Sequence, residues 1–133
     1  MIEKKEQLTY QLMDNNIHWF RINESSRQMI EDLFDKITEI KDSGLYDSQI
    51  LYLFDSESIN ELPIRYLIQR ANKWEKAQTF IPPTKTALVY QLSGLMIFAV
   101  NTLIKTFNKH NSQTRVFLPS QRDEALAWLL SND

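Results

Sequence analysis

The sequence predicts an α/β domain built on a mixed five-stranded sheet, and three observations lead there. Apolar runs of strand length alternate with stretches that carry apolar residues at helical spacing, a turn-forming triplet joins the first two runs, and each later run is separated from the next by a single helix. Strands joined by a tight turn pair antiparallel, whereas strands separated by one helix favour parallel pairing through right-handed crossovers. The predicted order is ββαβαβαβα, with four helices packed on the sheet. A chain of 133 residues suits one domain, spanning 1–133.

Leu8 to Met13 and Ile17 to Ile22 are apolar and aromatic runs linked by Asp14-Asn15-Asn16, residue types that tolerate left-handed turn conformations, so they form a β-hairpin. Ser25-Ser26-Arg27-Gln28 has the form of a capping box, and Met29, Ile30, Leu33, Phe34, Ile37 and Ile40 follow at helical spacing. This first helix ends near Gly44, where a left-handed cap is easy. Gln49 to Phe54 is almost wholly apolar, as suits a central strand covered on both faces. Pro63 fits the first turn of a second helix whose apolar stripe is Leu67, Ile68, Ala71 and Trp74. Ile81-Pro82-Pro83 breaks the chain, Thr84 to Tyr90 is the fourth strand, and a third helix runs from Ser93 to near Asn111. Arg115 to Leu118 is a short fifth strand, and Ser120-Gln121-Arg122-Asp123 caps a last helix ending at Leu130.

Composition excludes several function classes. The chain has no cysteine, so disulfides, thiol nucleophiles and thiolate zinc sites are out, and a reducing cytoplasm suits it. Two glycines, Gly44 and Gly94, cannot build a Walker loop or a G-x-G-x-x-G turn. His18 and His110 are the only histidines and neither has a second ligand one helical turn away, so no metal site is expected. No G-x-S-x-G elbow is present for serine catalysis. Fifteen basic and seventeen acidic residues give a net charge of −2, which argues against nucleic-acid binding by the whole chain. Met1 to Glu6 lacks the apolar core of a secretory signal. Thr86 to Ile104 is uncharged over nineteen residues, but Gln91, Ser93, Gly94, Asn101 and Thr102 interrupt it, so a buried strand and helix are expected there rather than a transmembrane span.

Three groups of side chains carry chemistry. Asp55, Ser56, Glu57 and Ser58 follow the most apolar strand, at the carboxyl edge where open α/β sheets place their sites, and form a candidate regulatory or ligand loop. Residues 68–133 hold eight basic against four acidic residues, the reverse of the seven against thirteen in residues 1–67. Arg65, Arg70, Lys73, Lys76, Lys105 and Lys109 are the candidate anion-facing or lipid-facing set, with Tyr66, Trp74 and Phe80 interleaved. Glu31 and Asp35, four apart on the first helix, read as a solvated polar face.

The ending Arg115-Val116-Phe117-Leu118-Pro119-Ser120, followed by Glu124-Ala125-Leu126-Ala127-Trp128-Leu129, resembles the closing strand and helix of the STAS/SpoIIAA-like family, and the order of elements over about 120 residues agrees. The resemblance implies a small non-enzymatic module with a SpoIIAA-like fold. In family members that antagonise anti-sigma factors, a serine at the start of the helix after the central strand is phosphorylated and switches a protein interface. The family's D-S-S-G stretch falls around Glu61-Leu62-Pro63-Ile64, which offers no hydroxyl. The wider fold superfamily also includes lipid-binding domains related to the Sec14 type.

The expected function is therefore a non-enzymatic regulatory module that binds a protein partner or its own copy, with no catalytic residues, no cofactor and a cytoplasmic setting. The alternative is a module for a lipid or small hydrophobic ligand, associating peripherally with an anionic membrane surface and using a pocket between the sheet and the second and third helices.

Overall fold

The hairpin predicted at the start of the chain seeds the sheet. In a computed structural model, which describes residues 2–4, 7–56, 63–90, 101, 104–105 and 112–131, β2 (Leu8–Leu12) and β3 (Ile17–Ile22) pair antiparallel. Asn16 between them adopts φ 65, the left-handed conformation that asparagine tolerates. A third strand, β1 (Ile2–Lys4), adds to the outer edge of β2 and makes the sheet six-stranded rather than five-stranded. Three residues with no alternating pattern give too little periodicity to mark it in the sequence.

From β3 onward the sheet is parallel. The chain passes through α1 (Arg27–Ser43), β4 (Ile50–Asp55), α2 (Ile64–Ala77), β5 (Thr84–Val89) and β6 (Gln113–Phe117), and each new strand lies beside the last, giving the order β1-β2-β3-β4-β5-β6. A 3-10 turn (Pro119–Gln121) leads into α3 (Arg122–Leu129). The helix expected from Ser93 to Asn111 falls largely outside the described residues, so three helices are bounded where four were expected.

Two cap assignments change. Ser26, not Ser25, caps α1 by accepting from the Met29 amide at 3.1 Å, while Gln28 donates to Asp32 instead of returning to the cap. Such a cap contributes about 1 kcal/mol. Ser120 lies within the 3-10 turn, and α3 starts after Gln121 with no side-chain cap. The other end of α1 closes as expected on Gly44, at φ 67.

Alternation along each strand divides the interior into two cores. On one face Tyr10, Phe20, Ile50 and Tyr52 meet Ile30, Leu33 and Phe34 of α1 and Leu67 and Ala71 of α2. On the other, Ile17, Leu53, Ala87, Val89 and Phe117 meet Ala125 and Leu129 of α3. Lys85 of β5 points into this second core with only 1% of its surface exposed, and its ammonium donates to the carbonyls of Trp128 (2.5 Å) and Ser131 (3.0 Å) and to Ser131 Oγ (3.2 Å). A buried cation at a helix C-terminus meets the negative end of the helix dipole and otherwise unsatisfied carbonyls. Lys85→Met keeps the apolar stem and removes those donors. Urea unfolding is expected to show a loss of about 1–3 kcal/mol, with Trp128 becoming more exposed to quenchers.

Candidate functional site

The predicted loop after β4 divides between the two faces of the sheet. Asp55 turns to the α3 side, where its carboxylate accepts a hydrogen bond from Arg122 Nη2 at 2.7 Å, its side chain 4% exposed against 38% for arginine. It joins the end of β4 to the start of α3, which is a structural task. Ser56 is also buried, its amide donating to the Val89 carbonyl at 2.8 Å, and it lies on the α1/α2 side. Glu57 and Ser58 lie outside the described residues.

The basic set also separates. Arg65, Lys73 and Lys76 are exposed on the outer face of α2. Arg70 turns toward α1, where its Nε donates to both Glu31 oxygens at 3.1 Å and its guanidinium covers the Phe34 ring at 5.1 Å. Tyr66 donates to Glu31 Oε2 at 2.6 Å. Glu31, whose side chain stays 37% exposed, also clasps α1 to α2; the tyrosine hydrogen bond first, and Arg70 with it, hold its pKa below the ordinary value. Trp74 belongs to the core, packing on Phe34 and donating from Nε1 to Thr38 Oγ1 at 2.7 Å. Lys105 is exposed, and Lys109 lies outside the described residues.

Beneath the clasp lies a cavity of about 150 Å³. Its floor is the sheet, with Tyr52, Phe54, Thr86 and Leu88, and its roof is α1 and α2, with Leu33, Phe34, Ala71 and Trp74. Tyr52 and Thr86 are register partners on β4 and β5, so their side chains stand next to each other on the floor. Burial, then the neighbouring Tyr10 and Tyr46, pushes the Tyr52 phenol far above the ordinary tyrosine value, and it stays a neutral donor at every physiological pH. No protein-family model matches the chain, nor does any curated protein or solved structure. Among the described residues the cavity lies under α1 and α2; the second helix lines it as the sequence suggested, and the third helix falls largely outside the described residues. The signal was the pair of hydroxyl residues, Tyr52 and Thr86, on the mainly apolar β4 and on β5.

Two further features bound the chemistry. Among the described residues no group of three or more histidines and carboxylates is placed to hold a metal ion, and no helix is long and apolar enough to cross a membrane. His18, buried on β3, is hydrogen-bonded through Nδ1 to the Tyr10 hydroxyl at 2.6 Å. Burial first, and the Lys36 ammonium second, lower its pKa from 6.5.

These contacts have two measurable consequences. Arg122→Ala removes the guanidinium facing Asp55 and is expected to cost about 2 kcal/mol in urea unfolding, below the ~3–5 typical of fully buried pairs because Arg122 is partly solvated. Asp55→Asn combined with Arg122→Met is expected to recover much of that loss. For His18 the unfolded chain binds more protons than the folded one near and below pH 6.5, so stability is present above that value and is lost as pH falls through the lowered folded pKa. Urea midpoints are expected to fall between pH 7.5 and 5.5, and His18→Gln to flatten that slope; the window stays above the range in which Glu31 titrates.

Proposed function

We propose that the protein is a non-catalytic binding module whose site is the cavity between the sheet and α1/α2, and whose ligand is a small apolar molecule carrying a hydrogen-bond acceptor. The cavity itself carries this reading. A half-open apolar space of this size leaves the side chains that line it short of packing partners, and such contacts are individually small and collectively large. An occupant restores those contacts. A half-open pocket of about 150 Å³ lined mainly by aliphatic and aromatic side chains takes a benzene-sized molecule, so the volume favours a compact ring over an acyl chain. Tyr52 and Thr86 supply the polar contacts that orient such a ligand.

The resemblance to SpoIIAA-like modules supports the non-catalytic and regulatory part of the proposal, and the absence of cysteine suits a cytoplasmic setting. A protein partner or second copy remains the natural recipient of such a signal. Pairing by strand addition is disfavoured at β1, a three-residue edge bearing Glu3 and Lys4, because short charged edges resist extension.

Thermal unfolding with benzene, phenol and indole tests the site. At ten times its Kd a ligand adds about 1.4 kcal/mol, which is about 4–6 °C in Tm for a domain of this length. Ala71→Phe and the milder Ala71→Leu fill the space from α2 and are expected to abolish the shift. No shift with any of the three, or the same shift in folded Ala71 variants, overturns the assignment, and dodecanoate is expected to give none.

A further inference from the structure

We propose that the outer face of α2, together with Phe80 beyond its end, docks on an anionic membrane surface. Arg65, Gln69, Lys73 and Lys76 fall at spacings of four, four and three, so they form one exposed stripe along the helix, opposite the buried Leu67 and Ala71. Arg70 is the basic residue of α2 that does not belong to it, since it is turned to Glu31. Fourteen residues make a helix about 21 Å long, so the three exposed cations are spread over most of its length. The acidic residue of α2 is Glu75, which is half-buried.

The second observation is apolar. Phe80 is 62% exposed, unusual for so large a hydrophobe, and it lines the same shallow depression as Lys76, Gln78 and Ile81. Pro82 is buried and, with Pro83, restricts the backbone just beyond the exposed ring. Cations along a helix with an aromatic at its end are what an interfacial anchor requires: charge to find the anionic surface and one ring to enter the headgroup boundary. The acidic first half of the chain does not oppose this, because at physiological salt charges more than about 8 Å apart are largely screened. A nucleic acid fits less well, since one exposed ring at a helix end gives successive bases no stacking track.

Vesicle flotation of the full chain provides the test. Binding is expected to vesicles of phosphatidylcholine with 30% phosphatidylserine at 0.1 M NaCl, not to phosphatidylcholine alone, and to weaken at 0.5 M. Each charge removed near such a surface is worth about fivefold, so Lys73→Gln with Lys76→Gln is expected to weaken binding about 25-fold. Phe80→Ser weakens it at both salt concentrations, and Arg21→Gln, exposed on β3, leaves it unchanged. Circular dichroism confirms that these surface variants fold. No binding, equal binding to both vesicles, or binding indifferent to the Lys73/Lys76 variant overturns the proposal, as does tighter binding of a poly-uridine strand to the same stripe. Ala71→Phe is expected to retain vesicle binding, so failure of this surface and failure of the cavity are separate results.

Discussion

A right-handed crossover between neighbouring parallel strands places its helix on one fixed side of the sheet, and β3, β4, β5 and β6 succeed one another without a reversal of direction. That constraint puts α1 and α2 on the same face and leaves the opposite face of the parallel strands to be covered by the chain beyond β6. The cover is α3, only eight residues long. A helix of two turns is unstable alone, and Ala125 and Leu129 bring limited apolar area, so polar anchors at both ends matter. Asp55, at the carboxyl end of β4, places its carboxylate near the N-terminus of α3; Lys85, at the amino end of β5, places its ammonium at the C-terminus. Each sign matches the pole of the helix dipole that it meets.

The other face solves a different problem. Two crossover helices of 17 and 14 residues must lie side by side on a twisted sheet. They are joined at their facing rims by polar contacts, Glu31 with Tyr66 and Arg70, and Thr38 with Trp74. Met29, Ile30, Phe34 and Ala71 are buried against the strands below these rim contacts. The space beneath Ala71 and Trp74 lies between these helices and the sheet, and the small side chain of Ala71 leaves room in it.

Periodicity made the five longer strands, α1 and α2 legible, because the chain alternates or repeats at 3.6 residues wherever one face is buried. The basic stripe was legible only as composition: Arg65, Lys73 and Lys76 share a face, while Arg70, five residues from Arg65, points elsewhere, and what diverted it was Glu31, 39 positions away. Asp55 looked like a site residue for the same reason it is a structural one, since a carboxylate after an apolar strand needs a partner, and Arg122 is 67 positions distant. Lys85 gave no sign at all. A lysine at a strand start is ordinarily a solvated edge residue, and only the return of α3 onto β5 buries it.

The cavity and the basic stripe occupy opposite sides of one element. Ala71 and Trp74 of α2 roof the cavity, while Arg65, Lys73 and Lys76 face outward from the same rigid rod, so any change in how α2 sits on the sheet moves the three cations together. The ligand proposed below and the surface proposed above would therefore act on one degree of freedom, and any coupling between them is reciprocal by thermodynamic necessity. The restraint on that motion is the Glu31 clasp. Because the Tyr66 hydrogen bond and Arg70 hold the Glu31 carboxyl below its ordinary pKa, the clasp stays charged as pH falls into mild acid.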